Sequence, residues 1–459
     1  MKKSLILGSL AALTLTVSAQ AQTVVDITGA TAFRQGATAT INAIFVAGGN
    51  FVSIQNGGLN GGNLQAWRGN FGNLTNLTIR TRWNGSTEGL RAVFQPNQTI
   101  DSLPTNPQFF VTTALDAFAP VAGGGANAVS TSGNTVADVA ELAFSDVRKE
   151  ATPIPGASAG GAVGVVTFTM VANKTWRDDP RTANITNVTS QQFRTLFTQG
   201  STPLSYFTGN LADTDLVYAS GRNDGSGTRT TYLAETGFGA NQPVQQYVGY
   251  DRSNTTVLPS ILLVPRDGGF GINTTGVLQA TPTNRSTLWS QNVNGNGGYV
   301  SGGDLRVDFR KTTANTSVLA VDDQGQNITN NDIQELVPAG KLFLLSWLST
   351  ADAAFASQGN TLAVILGYDG VRLDDLAALG NATNSTLTIA DRTKVTTGRY
   401  AAWSNQQLLY SPGNATVATV FNFISGNVSA NIGSAGIPST EMTGNGTSRT
   451  ADGGIISKF

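Results

Sequence analysis

Short apolar runs with strand-like patterns recur along this chain of 459 residues. Apolar and polar residues alternate over Leu77–Trp83, which is typical of a half-buried strand. The β-branched run Val163–Val171 and the short run Leu216–Ala219 also have the pattern of strands. Because these runs alternate with helical segments, the pattern predicts an α/β fold with parallel strands.

Helical periodicity of apolar residues indicates four segments between the strands. They are Gly36–Phe45, Ser190–Phe197 with Ser190 as its cap, the strongly apolar run Lys341–Leu348, and Val417–Ile424.

Two stretches contain few apolar residues and many Asn, Gly, Thr and Ser residues: Thr281–Gly303 and the tail after Gly433. A segment with little apolar surface to bury gains little that offsets its loss of conformational entropy. We therefore expect both to be surface elaborations.

Two residue types are missing from the composition. The chain has no His and no Cys, so a Ser-His-Asp or Cys-His catalytic centre, a His-ligated zinc, an iron–sulfur cluster and disulfides are excluded. Lys and Arg number 28 against 29 Asp and Glu, and charged residues make up 12%, about half of the usual quarter. A weakly charged chain with a net charge of −1 argues against nucleic acid as a partner.

The first residues have the pattern of a secretory signal peptide. Lys2 and Lys3 precede the apolar run Leu5–Val17, and Ala19-Gln20-Ala21 is a small-x-small cleavage pattern. The apolar run is too short for a membrane span, which needs about 20 residues. We therefore expect residues 1–21 to be removed, and the protein to be periplasmic or secreted without a lipid anchor.

Four polar turns follow a common plan, in which small residues and a hydroxyl or acid come after a strand pattern. They are Ile27–Phe33, Asn84–Val93, Glu141–Asp146 and Ser220–Thr228. Three of them lead into a helical pattern, and a helix N-terminus binds anions through unpaired N–H groups and the positive end of its dipole. Most of these turns are individually explained as ordinary helix caps. The fourth combines Arg, Asp, glycines and hydroxyls within seven residues and favours anion binding.

In this order the four turns resemble the periplasmic phosphate-binding proteins of phosphate ABC transporters. The family pattern of a Thr-Gly-Ala start, a Gly-Ser-Ser-Gly turn, a Ser-Asp pair and an Arg-x-Asp-Gly-Ser-Gly-Thr loop is matched here in order. The matching residues are Thr28-Gly29-Ala30, Gly85-Ser86-Thr87 with Gly89, Ser145-Asp146, and Arg222–Thr228.

The resemblance implies which residues contact phosphate. These are Ser86, Asp146, Arg222, Ser226, Gly227 and Thr228, with Asp224 expected to orient Arg222. The first turn departs from the family, which has a hydroxyl residue, Phe and then Pro where this chain has Thr31-Ala32-Phe33-Arg34. Either Thr31 supplies a hydroxyl or the backbone of Phe33 contributes. Arg34 either adds positive charge or points to solvent.

Asp146 is the residue that bears on the choice of anion. A carboxylate repels an anion unless the anion brings a proton for it to accept. Phosphate carries such a proton at neutral pH and sulfate does not, so an acid at this place selects phosphate.

The resemblance also implies a two-lobed fold of type 2 periplasmic binding proteins, with a central cleft and crossing hinge segments. We expect residues 22–155 and 367–433 to form lobe 1, residues 156–366 to form lobe 2, and residues 434–459 to form a C-terminal tail. The implied function is capture of inorganic phosphate for uptake by ABC-transporter membrane subunits, with no cofactor and no catalysis. Two alternatives remain open: a secreted surface or structural protein with weak or lost ligand binding, and a glycosidase-like hydrolase with paired carboxylates.

Overall fold

The structure is a computed structural model in which part of the chain is described. The described residues are 22–55, 63–96, 99–100, 103–104, 108–111, 125–128, 135–223, 225–240, 242–249, 257–258, 261–264, 271–272, 298–299, 301–313, 316–319, 335–337, 340–358, 361–378, 387–432 and 436–458. The predicted signal peptide, residues 1–21, and Asp224 lie outside them.

Thirteen strands of the described residues form one main sheet. They are β1 (Thr23–Gly29), β2 (Phe51–Gln55), β3 (Leu64–Phe71), β4 (Leu74–Arg82), β5 (Gly125–Ala128), β6 (Leu142–Ser145), β7 (Ala159–Ala172), β8 (Asn187–Val188), β9 (Ser201–Pro203), β10 (Leu216–Ala219), β11 (Phe343–Ser349), β12 (Val364–Tyr368) and β13 (Trp403–Tyr410).

The helices flank this sheet. They are α1 (Arg34–Gly48), α2 (Ser86–Phe94), α3 (Lys174–Asp178), α4 (Ser190–Gln199), α5 (Ser205–Thr208), α6 (Gly227–Glu235), α7 (Gly302–Phe309), α8 (Thr350–Ser357), α9 (Asp374–Ala378), α10 (Ile389–Thr396), α11 (Ala415–Asn431), α12 (Ser439–Gly444) and a 3₁₀ turn, Lys149–Ala151.

Shorter strands lie outside the main sheet. They are Thr99–Ile100, Leu103–Pro104, Gln108–Val111, Thr135–Asp138, Gln246–Gly249, Val257–Leu258, Ile261–Val264, Gly271–Ile272, Gly298–Tyr299, Thr312–Thr313, Thr316–Leu319, Glu335–Val337, Thr447–Arg449 and Ile456–Lys458.

The main sheet has two halves joined by two long strands. Its order is β9-β10-β11-β7-β13-β6-β1-β4-β3-β2-β5, with β12 on β7 and β8 on β12. Strand β7 runs antiparallel to β13 along its first part and to β11 and β12 along its last part, so it belongs to both halves. Strand β13 also pairs with β6 of the first half. The predicted α/β class is confirmed, whereas the residue bounds of the two lobes stay a prediction.

All three predicted strands are present, although the alternating one is buried on both faces over Leu77–Thr81 and not half-buried. Leu77–Trp83 corresponds to β4, Val163–Val171 lies within β7, and Leu216–Ala219 is β10. Strand β7 is buried from Val163 to its end, as expected of a β-branched run in the middle of a sheet.

Three of the four predicted helices are also present, and the fourth is wrong. Lys341–Leu348 is the strand β11, in which all seven residues are buried. It lies between β10 and β7 and is covered on both faces, so its apolar residues form a continuous run instead of an alternating one. Such a run has no periodicity that separates a strand from a buried helix.

One detail of the predicted α4 also differs. Its cap is Thr189 and not Ser190: the Thr189 hydroxyl accepts from the amide of Gln192, and the Gln192 side chain accepts from the amide of Thr189. This reciprocal pair is a capping box and satisfies two otherwise unpaired groups.

The two stretches predicted to be surface elaborations contain buried residues where the structure describes them, while residues 281–297 and 300 lie outside the described residues. Tyr299, near the end of the first stretch, is 1% exposed. In the tail, Ile437, Met442 and Arg449 are buried. Arg449 donates to the backbone oxygens of Ala401 and Trp403 at the start of β13, so the tail is anchored to a strand that joins the halves. A few buried side chains therefore fix segments whose overall composition is polar.

Candidate anion site

Three of the polar turns lie at the same edge of the first half of the sheet. Strand β1 is parallel to both β4 and β6, so the carboxyl ends of these strands meet. Gly29 at the end of β1 pairs with Phe144 of β6, and Thr28 pairs with Arg82 at the end of β4. Thr31 is among the residues that follow these ends, and open α/β sheets bind ligands beyond such carboxyl ends.

The fourth turn belongs to the second half of the sheet. Strands β10 and β11 are parallel, and the turn that contains Arg222 and Ser226 follows the carboxyl end of β10. The end of β11 leads directly into α8, whose cap is Ser349.

Direct contacts join the turns of the two halves. The amide of Glu88 in α2 donates to the backbone oxygen of Gly225 (3.1 Å), and the amide of Gly85 donates to the oxygen of Gly29 (2.9 Å). Gly85 has a φ of 118°, and a Cβ there would lie 2.4 Å from the oxygen of Gly225. This left-handed conformation and close approach are possible because residue 85 has no side chain.

Ser86, Asp146 and Gly227 are closely packed where the turns of the two halves meet. The Ser86 hydroxyl donates to Oδ1 of Asp146 at 2.5 Å, and the amide of Asp146 donates to Ser86 Oγ at 3.2 Å. A Cβ on Gly227 would lie 1.6 Å from Asp146 Oδ1 and 2.5 Å from Ser86 Oγ. The first turn of α6 therefore packs its bare backbone against the carboxylate. We call these three residues the acid contact.

Burial changes the acidity of Asp146. The residue is 1% exposed, and loss of hydration raises the pKa of its carboxyl to about 6, although the Ser86 hydroxyl and the charge of Arg222 lower it. Asp146 is thus a buried acid that ionises just below neutral pH.

Amide groups surround the acid contact. Ser86 and Thr87 begin α2, and Gly227 and Thr228 begin α6 after the cap Ser226. The first-turn N–H groups of a helix have no acceptor within that helix. The Ser226 hydroxyl oxygen accepts from the amide of Arg229 at 3.3 Å, which leaves its hydrogen for another partner.

Arg222 is almost fully enclosed. It is 1% exposed, and its Nε donates to the backbone oxygen of Tyr299 at 3.0 Å. Loss of hydration lowers the pKa of Arg222, and the charges of Asp352 and Asp146 raise it. A Cβ on Gly302 would lie 3.5 Å from Arg222 Nη1 and 2.2 Å from Asp352 Oδ2, so the guanidinium and this second carboxylate are neighbours.

The first polar turn, Ile27–Phe33, departs from the family pattern, and its side chains make other contacts in the structure. Phe33 is fully buried, and its ring packs against Phe144 at a centroid distance of 5.8 Å, so its side chain belongs to the core. Thr31 is half-buried, and its backbone oxygen accepts from the amide of Arg34 at 3.4 Å. Their roles in binding, and that of Asp224, stay predictions.

Arg34 does not point to solvent. It is 9% exposed, and the charges of Asp352, Arg306, Asp304 and Arg222 all act on its pKa, which loss of hydration lowers. We call Arg34, Arg222 and Arg306 the guanidinium cluster.

Sequence reasoning missed Asp352 and Arg306. The segment that follows Leu348 has the same strand–turn–helix plan as the other turns, with the hydroxyl of Ser349 and the carboxylate of Asp352 in a hydrogen bond of 3.0 Å. The apolar run before it was interpreted as a helix, which removed the strand end that would have marked this turn. Arg306 had no such signal, because it lies on α7 beyond the Asn-rich stretch.

None of the helices among the described residues combines the length and the apolar character needed to cross a membrane. No group of three or more acidic residues there is arranged to hold a metal ion.

Neither the protein-family models nor the curated proteins contain a match to this sequence. Among solved structures, the chain is similar to one from Clostridium perfringens described as a phosphate ABC transporter substrate-binding protein with bound phosphate. The two are 11% identical, with 89% of this chain and 98% of that chain covered and a TM-score of 0.40. It is also similar to an ABC-type phosphate transport receptor from Vibrio cholerae, at 10% identity, 89% and 96% coverage and a TM-score of 0.40. At such TM-scores the structural likeness is loose.

Proposed function

We propose that this protein is an exported solute-binding protein that captures inorganic phosphate between the two halves of its sheet. Delivery to the membrane subunits of an ABC transporter, from the periplasm, is part of this proposal. The observation that carries it is the acid contact: a buried carboxylate, Asp146, is held by Ser86 and Gly227, and the charge of the buried Arg222 lowers its pKa.

The acid contact supports phosphate because of the proton that phosphate carries. An ionised Asp146 repels any anion, and in a poorly hydrated place this repulsion is severe. A protonated oxygen of phosphate instead donates a hydrogen bond to the carboxylate. Sulfate has no proton at neutral pH, so it leaves the acceptor unpaired and adds repulsion.

The other groups supply the donors that the remaining oxygens need. Arg222 offers a planar, permanently charged fork, and the first turns of α2 and α6 offer amide N–H groups. Ser226 and Thr228 add hydroxyls, and Asp224 is proposed to orient Arg222. A tetrahedral oxyanion uses such a set of donors from several directions.

The same set favours binding over catalysis. Donors surround one acid that is already hydrogen-bonded to Ser86, and the chain has no His or Cys that would act as a base or nucleophile near neutral pH. We therefore propose a binding protein and not an enzyme.

Titration calorimetry on protein that has been unfolded, stripped of phosphate and refolded tests the proposal. We expect saturable binding of one phosphate per chain at pH 7.5 and at least a hundredfold weaker binding of sulfate. The absence of phosphate binding would overturn the proposal and favour a surface or structural role. Equal affinities for phosphate and sulfate would remove the role proposed for Asp146.

A further inference from the structure

Arg222 is held by a short strand that lies far from it in the sequence. Tyr299 of the strand Gly298–Tyr299 forms a parallel bridge with Arg222, and its backbone oxygen accepts from Arg222 Nε at 3.0 Å. The same oxygen accepts from the amide of Asn223 at 3.1 Å, and the amide of Tyr299 donates to the oxygen of Gly221 at 2.9 Å. The backbone on both sides of Arg222 is therefore bonded to this strand.

The bond to Nε orients the guanidinium of Arg222 as well as the backbone around it. Because the guanidinium is planar, a hydrogen bond at Nε restricts the directions in which both Nη groups can point. The acceptor is a neutral backbone oxygen, so it orients the group without cancelling the positive charge that attracts an anion. A guanidinium that is oriented before the anion arrives loses less conformational freedom on binding.

The side chain of Tyr299 is anchored in the core by a buried ion pair. Its hydroxyl donates to Oδ2 of Asp308, and Oδ1 of Asp308 lies 3.2 Å from Nζ of Lys311. The side chains of Asp308 and Lys311 are fully buried, and Tyr299 is 1% exposed. Removing two charges from water offsets much or all of their attraction, so stability alone explains such a pair poorly. Holding Tyr299 in place is a role that accounts for it.

We infer that Tyr299 is a positioning residue for Arg222, and that the Asn-rich stretch Thr281–Gly303 thereby contributes to the proposed phosphate site. This inference rests on the proposed function. The backbone oxygen of Tyr299 orients the guanidinium. Its hydroxyl, bonded to Asp308, keeps the backbone of the strand in the position from which that oxygen reaches Nε.

Gly298→Ala tests the position of the strand. Gly298 has a φ of 133°, and a Cβ there would lie 2.6 Å from the backbone carbonyl carbon of Arg222, so the strand must move away from Arg222. We expect the phosphate affinity measured by calorimetry to fall about thirtyfold, the loss of one hydrogen bond to a charged group. Gly413→Ala is the matched control, because Gly413 has a φ of 114° but a Cβ there meets no atom within 4 Å. It should lower Tm and leave phosphate affinity unchanged.

The same substitution in a second background separates positioning from a merely structural role. Arg222→Lys keeps a positive charge but has no Nε, so in this background the strand has no guanidinium to orient. Adding Gly298→Ala to Arg222→Lys should weaken phosphate binding by less than about threefold, so the two changes should not be additive. A structural role alone would lower Tm in both backgrounds and leave the affinity of the folded protein unchanged.

Tyr299→Phe provides a test that does not depend on the folding of Gly298→Ala, because it keeps the ring and removes only the hydroxyl. We expect phosphate affinity to fall about fivefold, since the hydroxyl acts on Arg222 only through the backbone of the strand. Tyr400→Phe is the matched control: Tyr400 is fully buried, and its hydroxyl donates to the backbone oxygen of Phe168 in β7. It should lower Tm without changing phosphate affinity.

The outcomes are distinguishable. Wild-type phosphate affinity in folded Gly298→Ala or in Tyr299→Phe, or an equal loss when Gly298→Ala is added to Arg222→Lys, would overturn this inference and leave the proposed function intact. A wild-type protein that binds no phosphate would overturn both.

Discussion

The acid contact and the guanidinium cluster are built in opposite ways. The acid contact consists of a hydroxyl, a carboxylate and a bare glycine backbone, packed so closely that no side chain fits at residue 227. The guanidinium cluster consists of three long side chains from three helices or turns, balanced in part by Asp304 and Asp352.

This difference assigns different tasks to the two regions. Short groups held by the backbone cannot move to accommodate a different anion, so the acid contact is suited to selecting between anions. Long cationic side chains attract any oxyanion, so the guanidinium cluster is suited to setting affinity. Variants in each region should therefore change different quantities.

The largest effect is expected in the guanidinium cluster. Arg222→Ala removes a buried charge-assisted fork and should weaken phosphate binding by about a thousandfold, the loss of about two charge-assisted hydrogen bonds. Calorimetric titration measures this, with the half-exposed Arg177→Ala as a control that retains wild-type affinity. Tight phosphate binding by Arg222→Ala would remove Arg222 from the site.

The next largest effect is expected from filling the acid contact. In Gly227→Ala the new methyl group would overlap Asp146 Oδ1 and Ser86, so the two halves must separate. We expect phosphate affinity to fall by about a hundredfold and the free energy of unfolding to fall by roughly 1–3 kcal/mol, as for an overpacked core.

A helical glycine elsewhere provides the matched control. A Cβ on Gly426 in α11 meets no atom within 4 Å, so Gly426→Ala should leave binding unchanged and slightly stabilise the helix. Wild-type binding by Gly227→Ala would contradict the close packing of the acid contact.

Asp146→Asn should change selectivity more than affinity. The amide no longer needs a proton from the ligand, so the ratio of phosphate to sulfate affinity should fall by at least about tenfold. In the wild type, sulfate binding should strengthen as the pH falls through about 6, where Asp146 takes up a proton and becomes a donor. A ratio that is the same in both proteins at every pH would contradict the selecting role of Asp146.

The same variant should alter stability in the absence of ligand. The pKa of Asp146 rises on folding from 3.8 to about 6, so its contribution to stability is full below pH 4 and is lost as the pH rises through 6. Asn carries no charge, and Asp146→Asn should therefore be more stable than the wild type by roughly 3 kcal/mol at pH 8. Denaturant unfolding at pH 4 and pH 8 measures this, and a difference independent of pH would contradict the burial of a charged carboxylate.

The smallest effect is expected from Ser86→Ala. It removes one hydroxyl, so phosphate affinity should fall by about five- to tenfold, close to the value of one neutral hydrogen bond. Because Ser86 lowers the pKa of Asp146, the pH at which sulfate binding appears should also move upward. Calorimetry across pH 5 to 8 detects both changes, and an unchanged pH profile would exclude the hydroxyl as a partner of the carboxylate.

The two regions also differ in how far they were predictable from sequence. The resemblance to phosphate-binding proteins indicated Ser86, Asp146 and Gly227 as site residues. Ser86 and Asp146 follow neighbouring parallel strands, whose ends meet at one edge of a sheet, whereas the contact of Gly227 with them depends on how the two halves pack. The burial of Arg34 likewise depends on how the chain packs around it, which no local pattern encodes. For that reason the sequence leaves open whether Arg34 adds positive charge to the site or points to solvent.

The apolar run of β11 illustrates the same limit for the fold. Strand β4 keeps its alternation although Leu77–Thr81 is buried throughout, because a polar residue such as Arg80 is paired inside the protein with Asp26. Strand β11 has apolar residues on both of its buried faces and loses the alternation that identifies a strand. The tail was misjudged because its average composition is polar, although a few residues such as Arg449 fix it by specific hydrogen bonds.

The most direct measurement is a crystal structure grown with arsenate, a protonated tetrahedral analogue of phosphate whose arsenic atom scatters anomalously. The account predicts one strong anomalous peak between the halves, within hydrogen-bonding reach of Ser86, Asp146 and Arg222. A peak elsewhere, or none at a saturating arsenate concentration, would contradict it.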